Sequence, residues 1–498
     1  MSLNSAVAVV VSLFYFVIVL LGAELLRIWF RLSSLMVRRL TIIGLASSAL
    51  ILPPLFSEWH WFIIAPGIFG LIYLAVGSGL KSASQRQSVF GIVYIFLAII
   101  FLFNLFWGKD QQVYAIAGLL VFGWGDTLAA LIGSYWGKHK YFIYDETKSW
   151  EGTLGMFAGS WGALAVVAAQ IMGLSDQELI SYVTLTSAFA ALLEAVSIRG
   201  TDNFIVPVGT AFFLYYLIQT NIPIAQISVF VTGIVGSFLF SLLAYWLKAL
   251  DEGGVAGAIL VGSFLYTFGG WNWIPPILVF FVSSSILSYW SRRRSSDEIE
   301  DRTDTRRGVN QVLANGGIGI VLAILSFLNI ADLYLLYLGF LGSLAGVTAD
   351  TWATEIGQAL GGKPRLITSR KEVLPGTSGG ITKAGIWGSV FGSGILALSG
   401  FVLSIIGGLN WGSTLIGTAI VFVAGVSGAL LDSLIGATLQ VQYYCEYCLK
   451  YTEKLIHGCG CQTKAVKGLR WLNNNWVNLI ASAWSATVAI ILSCLLLR

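Results

Sequence analysis

Charge is what this 498-residue chain has least of: Asp, Glu, Lys and Arg together make up 11% of it, and hydrophobic residues 56%. A soluble globule carries about 25% charged residues, so the scarcity excludes that class and indicates a polytopic membrane protein. The surplus of base over acid, 29 residues against 25, is explained by loops and gives no argument for a nucleic acid partner. The first apolar run, Val7 to Leu26, is followed by Arg27 and Arg31 without a small-residue cleavage site, so it reads as a retained span and not a removed signal peptide. Cysteine is also sparse, five in all. Cys494 lies in the last span. Cys445-x2-Cys448 and Cys459-x-Cys461, with His457 beside them, share one loop expected to be cytoplasmic, where a disulfide would be unusual. Two close pairs could supply four thiolates to zinc, although the C-x-C half is tight for that geometry; reduced thiols without a metal are the alternative.

Apolar runs of about 17 to 25 residues are long enough to cross a hydrocarbon core, and about sixteen of them alternate with short polar loops. Basic residues cluster at Arg27 to Arg39, Lys81 to Arg86, Lys138 to Lys148, Arg292 to Arg307, Lys363 to Lys383 and Lys450 to Arg470, while the intervening turns carry almost none. The positive-inside rule then puts both termini outside and the loops with motifs in the cytoplasm. The expected fold is all-α, a polytopic membrane protein of about 16 transmembrane helices in two parallel eight-helix repeats. The boundary falls near Asn221-Ile222-Pro223, giving domains 1–222 and 223–498.

What the chain does contain is a repeat with charge in it. D-T-L-A-A-L-I-G at Asp126 to Gly133 recurs as D-T-W-A-T-E-I-G at Asp350 to Gly357. Gly152 lies 26 positions after Asp126, and Gly376 the same distance after Asp350. Ala191-Leu192-Leu193-Glu194 pairs with Ala429-Leu430-Leu431-Asp432, and Asp202-Asn203 with Asn474-Asn475. Landmarks in the same order at similar spacing indicate duplication of a structural unit. Acids inside apolar spans are costly unless they face a polar cavity, so Asp126, Glu194, Asp350 and Asp432 are functional candidates.

The first half gathers Asp126, Lys148, Glu151, Glu194, Asp202 and Asn203 at the inner face, with Arg38 and Arg39 from an earlier loop. Three acids can hold a divalent cation. Magnesium is usually held by one or two carboxylates plus substrate phosphates, which makes a nucleotide site the natural reading. Lys148 and the arginines could contact phosphate oxygens, and the step Glu151-Gly152-Thr153 could offer backbone N–H groups to an anion. The second half gathers Asp350, Glu355, Thr377, Ser378, Asp432, Asn475 and Asn478, with Arg307, Lys363 and Arg365 nearby. Asp350 and Glu355 lie about 140° apart around a helix and need not share a ligand. The glycine-rich Gly376-Thr377-Ser378-Gly379-Gly380 can cradle a phosphate.

The string G-D-x-x-A-A-x-I-G at Gly125 to Gly133, K-S-x-E-G-T from Lys148, an acid ending a span, and D-N-x-x-V-P at Asp202 to Pro207 resembles the phytol kinase and dolichol kinase family, over roughly Arg38 to Pro207. The second half, from about Gly253 onward, resembles a different membrane family, the one containing plant phytyl-phosphate kinase. The residues that carry this likeness are Gln311 to Gly317, Ala349 to Gly357, Gly376 to Gly380, Asp432 to Gln440 and Asn474 to Asn478. Together the resemblances imply successive phosphorylation of a membrane isoprenoid alcohol to its monophosphate and then its diphosphate, with CTP or another nucleoside triphosphate as donor. They imply magnesium or alcohol-activating roles for Asp126, Glu151 and Glu194, metal roles for Asp350 and Asp432, and phosphate contacts for Thr377 and Ser378. The further candidates for nucleotide or phosphate binding are Arg38, Arg39, Lys148, Gly152, Thr153, Asp202, Asn203, Arg307, Asn315, Lys363, Gly376, Asn475 and Asn478. One departure stands out. The first family shows Arg-Lys followed after two residues by His, where this chain reads Arg38-Arg39-Leu40-Thr41-Ile42. Two rival functions share these features: a cytidylyltransferase, which would release pyrophosphate, and a secondary transporter built from parallel repeats.

Overall fold

The structure, a computed structural model, describes residues 4–77, 83–108, 111–143, 146–168, 175–197, 200–219, 224–294, 306–374, 377–408, 410–448, 450–452, 456 and 459–497. Almost all regular structure is helical, as a membrane interior demands when every backbone polar group must find its partner within the segment. The chain divides into two compact units, Met1–Ser228 and Val229–Arg498.

Unit one contains α1 (Ser5–Phe30), α2 (Ser34–Ile51), the short α3 (Trp59–Phe62), α4 (Ile64–Gly77), α5 (Ala83–Leu105) and α6 (Gln112–Leu120). A π-helical turn, Val121–Asp126, joins α6 to α7 (Thr127–Trp136). The antiparallel hairpin of β1 (Lys140–Ile143) and β2 (Glu146–Ser149) leads into α8 (Trp150–Ala168), α9 (Asp176–Val196) and α10 (Asp202–Gln219). The helix α11 (Ile224–Trp246) crosses the division.

Unit two continues with α12 (Glu252–Phe264), α13 (Ile274–Arg294), α14 (Val309–Phe327) and α15 (Leu333–Ala359). Two short paired strands, β3 (Arg365–Leu366) and β4 (Gly380–Ile381), precede α16 (Lys383–Ile406) and α17 (Trp411–Thr438). A three-stranded sheet of β5 (Gln442–Cys445), β6 (Lys450–Thr452) and β7 (Lys464–Lys467), in the order β6-β5-β7, comes before α18 (Asn474–Leu496). The core of this unit forms around α15, where Phe340, Leu341 and Leu344 pack with Trp273, Leu396 and Val421.

Among the described residues ten helices are long and apolar enough to cross a membrane. The all-α polytopic class therefore holds, but the count of eight spans per half does not emerge. The small sheets are the other departure from an all-helical expectation, and each lies in a loop.

The two units repeat one packing device. In α8, Gly152, Gly155 and Gly159 press on backbone oxygens of Ala129, Leu128 and Trp124; a Cβ added at each would lie 3.1, 2.9 and 2.8 Å from them. In α16, Gly385, Gly388 and Gly392 press on Ala353, Trp352 and Thr348, with distances of 2.9, 2.6 and 2.8 Å. The acceptors stand at the same offsets from Asp126 and from Asp350. The helix starts match as well: Ser149 Oγ accepts the Gly152 N–H at 3.1 Å, and Thr382 Oγ1 accepts the Gly385 N–H at 3.0 Å. Small residues allow this close approach of membrane helices. The counterpart of Gly152 is thus Gly385, 35 positions after Asp350, and not Gly376. Equal spacing had suggested Gly376, but the loop of unit two is longer.

Candidate functional site

In unit one, the π turn carries Asp126 at its end, and such turns break the regular helical ladder at functional sites. The Trp124 indole N–H, donating to Ser47 Oγ at 3.1 Å, ties this turn to α2. The same helix brings Arg39, whose Nη1 lies 2.5 Å from Asp126 Oδ2; the two side chains are 17% and 19% exposed. The hairpin places Lys148 beside the start of α8. Its Nζ meets Glu194 Oε1 at 2.7 Å and also donates to the Glu194 carbonyl oxygen. That carbonyl belongs to the last turn of α9, where the helix dipole favours a cation.

Asp202, the first residue of α10, interacts electrostatically with Asp126, Lys148 and Glu194. Burial by itself would push the Lys148 ammonium down. The fields of Glu194, Asp202 and Asp126 outweigh that and hold it above the ordinary lysine value. With all three carboxylates ionised, three negative charges face the two cations Arg39 and Lys148, leaving one net negative charge in a mostly buried setting.

Other expected members of this site make contacts of their own. Glu151 turns to His139, accepting its ring Nδ1 at 2.7 Å and its backbone N–H at 3.2 Å. The Gly152 N–H is already taken by Ser149 and its Cα face is packed against α7, so the anion cradle expected at this step is closed there. Thr153 Oγ1 pairs with the Tyr141 hydroxyl at 2.8 Å. The Asn203 amide donates to the Gly91 carbonyl at 2.7 Å, fastening α10 to α5. Arg38 is exposed, one position from Arg39 on α2. Sequence reasoning passed over His139. Its signal was available, since the chain has only three histidines and this one stands in Lys138-His139-Lys140, just before the K-S-x-E-G-T motif.

In unit two, helix register brings the polar residues level. Gly342 of α15 meets Ala424 of α17 and Ala489 of α18; one turn on, Gly346 meets Gly428 and Ser485. Continuing this register by a turn puts Asp350 level with Asp432 and Ala481, with Asn478 a turn beyond on α18. Asp432 is 8% exposed, and Asn478 Oδ1 is buried with no hydrogen-bond partner among the described residues. Glu355 faces another way: it accepts Ser288 Oγ of α13 at 2.5 Å. The loop with Thr377 and Ser378 lies over the end of α17, where Gly379 (φ +79°) presses on the backbone of Ala437. Thr377 Oγ1 donates to the Leu374 carbonyl at 2.7 Å. Gly376 falls outside the described residues. Lys363 is exposed, 3.5 Å from Glu372, and Asn475 is half-buried in the first turn of α18.

Arg307 and Asn315 line an apolar cavity of about 300 Å³ between α11, α12, α13 and α14. The Arg307 guanidinium lies over Phe280 and Phe281, 5.4 and 5.1 Å from the ring centres. Asn315 Oδ1 is buried with no hydrogen-bond partner among the described residues. An apolar slot with a cation and an amide on its wall suits an amphiphile with a polar head.

The acids offer hard oxygen donors of the kind magnesium takes, and the net negative charge favours a cation. Among the described residues, however, no three acids bring ligand oxygens within 4.8 Å of one another; only a cysteine group does so. That spacing fits an ion held by one or two carboxylates with phosphate and water completing its shell, and not a closed protein cage.

Comparison with known proteins adds to this geometry. The family described as integral membrane protein DUF92 matches residues 209–486. A phytol kinase of Synechocystis sp. is 32% identical over 222 residues, 42% of this chain and 91% of its own. Protein PGR of Arabidopsis thaliana is 29% identical over 267 residues, 50% of this chain and 91% of its own. A CTP-dependent diacylglycerol kinase 1 of Schizosaccharomyces pombe is 24% identical over 157 residues, 30% of this chain and 70% of its own. Each of these relatives covers half of this chain or less. No solved structure matches it.

Proposed function

We propose a function on the premise that this chain belongs to the integral membrane protein DUF92 family: it is a membrane lipid kinase with two phosphoryl-transfer sites. Unit one phosphorylates a long-chain isoprenoid alcohol such as phytol, and unit two converts the monophosphate to the diphosphate. The donor is CTP or another nucleoside triphosphate, reached from the cytoplasmic face where the basic loops lie. The observation that carries this reading is the partly buried charge cluster of Arg39, Asp126, Lys148, Glu194 and Asp202. The names phytol kinase and CTP-dependent diacylglycerol kinase among the relatives support the same class.

In unit one the alcohol oxygen forms a bond to the γ-phosphorus of the donor as the bond from that phosphorus to its bridging oxygen breaks, and the nucleoside diphosphate leaves. Arg39 and Lys148 face the charge that spreads over the phosphate oxygens. Glu151, held by His139, accepts the alcohol proton; this pair takes the place of the histidine missing after Arg38-Arg39. Magnesium, when bound by Asp126 and Glu194 with Asp202 nearby, neutralises phosphate charge. In unit two the acceptor is a phosphate monoester, whose second pKa is about 6, so its nucleophilic oxygen is already ionised at neutral pH. Asp350 and Asp432 fill the metal role there, Asn478 and the Thr377-Ser378 loop orient phosphate, and the cavity at Arg307 and Asn315 receives the isoprenoid.

The test is product analysis with purified protein, labelled CTP, magnesium and a panel of isoprenoid alcohols and monophosphates. Asp126→Ala is expected to keep monophosphate-to-diphosphate conversion, and Asp350→Ala to stop at monophosphate. Loss of both steps in either variant would remove the two-site reading. Pyrophosphate release in place of CDP would move the chain to the cytidylyltransferases, and no lipid product at all would move it to transport.

A further inference from the structure

The four loop cysteines fall together in the structure. Cys445 ends β5 and Cys448 lies in the turn to β6; the pairing Cys445↔Lys450 closes that hairpin. The second pair arrives at the same end of the sheet, because β7 begins opposite Tyr444 through the pair Tyr444↔Lys464. An isolated antiparallel bridge pairs Ile456 with Gln462, and Gly460, at φ +83°, makes the tight turn between Cys459 and Cys461. Cys445 Sγ and Cys459 Sγ stand 3.7 Å apart. The sulfurs of Cys445, Cys448 and Cys459 all lie within 4.8 Å of one another. Cys461 hydrogen-bonds Cys459 and interacts with Cys445, which completes a group of four.

We propose that Cys445, Cys448, Cys459 and Cys461 form a structural zinc site that staples the β5–β7 sheet. Zinc with thiolates at about 2.3 Å in a tetrahedron has sulfur-to-sulfur edges of about 3.8 Å, close to the observed contact. A disulfide needs about 2.05 Å between sulfurs, and all five cysteines of the chain stand as thiols. Two close pairs on a hairpin turn and a facing loop supply the four ligands of a closed structural site, and no position remains for substrate. Binding balances as one Zn²⁺ with four thiols giving the tetrathiolate complex and four protons; no oxidant or reductant is involved. The sheet also needs such a staple. Its strands have three or four residues, and among those whose burial is described only Gln442, Tyr443 and Cys445 are buried. Small folds with so little core rely on metals or cross-links.

The other end of the sheet is bolted to the membrane helices. Val441 N–H donates to the Leu472 carbonyl at 3.0 Å, Leu469 N–H to the Leu439 carbonyl at 2.9 Å, and Lys467 Nζ to the Ala437 carbonyl. Ala437 is the residue on which Gly379 rests. Zinc at the far end would therefore hold together the end of α17, the start of α18 and the Thr377-Ser378 loop.

The decisive experiment is metal analysis of the full-length protein purified in detergent under reducing conditions, without added metal. About one zinc per chain is expected. The Cys445→Ser/Cys459→Ser pair should lose it, while Cys494→Ser should keep it. A second measurement needs no variant: thiol titration of the native wild type before and after chelation should show four further thiols becoming reactive on chelation. Cobalt substituted for zinc should give the absorption of a tetrahedral tetrathiolate. Zinc well below one per chain in the wild type, zinc retained in full by the double variant, or thiols equally reactive before and after chelation would each overturn the proposal. None of these readouts depends on lipid kinase activity.

Discussion

At the acid of unit one, Arg39 and Lys148 bring two cations against Asp126, Glu194 and Asp202, and Glu151 holds His139. At the acid of unit two, Asp350 stands level with Asp432, and the glycine stripe aligns Ile381 with Lys148 and Ala384 with Glu151. The frame is common to both: a D-T-x-A helix lies against a helix with glycines spaced by three and four, behind a Ser or Thr cap. What differs is the side chains hung on it. An alcohol acceptor holds its proton at neutral pH and must give it to a base, whereas a phosphate acceptor has already lost one. On the proposed two-step reading, a Glu-His pair in unit one and an apolar pair of positions in unit two are what that difference calls for.

The largest expected effect is at the cation with no aligned counterpart. Lys148→Met leaves Glu194 and Asp202 facing each other without their cation and should slow alcohol phosphorylation by about 10²- to 10³-fold, with conversion of added monophosphate unchanged. An equal loss in both steps, read by product analysis, would break the comparison. Because Lys148 is held above the ordinary lysine value, its contribution is fully present below that value and is lost only as pH rises through the folded-state value. The pH–rate profile of the wild type should accordingly show no break from this residue between about pH 6 and 9.

Glu151→Gln should slow the alcohol step by about 10²-fold, as loss of a general base does, and leave the monophosphate step alone. His139→Ala should cost less, since the carboxylate that accepts the proton remains. Steady-state rates for the two acceptors check both outcomes, and a larger loss for His139→Ala than for Glu151→Gln would reverse the assigned roles.

The smallest effects test the common frame. Gly155→Ala and Gly388→Ala each drive a methyl onto a backbone oxygen, at 2.9 and 2.6 Å respectively. Overpacking costs about 1–3 kcal/mol, more than the roughly 0.5–1 kcal/mol that alanine returns in a helix. Both variants should therefore melt a few degrees lower in detergent, Gly388→Ala the lower of the two. A raised melting temperature in one of them would show that the two stripes are not equivalent.

Much of this was legible in the residues themselves. The membrane class followed from the lack of charge, and the duplicated acids were visible because a carboxylate in an apolar run is conspicuous. The pairing of Gly152 with Gly376 misled, since equal spacing along a chain does not survive a longer loop; the contacts identify Gly385. Grouping Glu151 with Asp126 and Glu194 followed from sequence order. The fold gives Asp202 that place and turns Glu151 toward His139, because the hairpin of β1 and β2 presents Lys148 inward and carries His139 past the start of α8.

Composition and the repeated motif by themselves determined that this is a membrane protein with acids inside its spans, because the cost of charge in hydrocarbon depends only on which residues lie in an apolar run. Which acid meets which cation, which glycine answers which carbonyl, and that four cysteines from two separated pairs reach one point were decided only by the tertiary structure. Those contacts depend on helix register, on a π turn and on loop length, and each of these moves a side chain by several ångströms without any change in the motif that contains it.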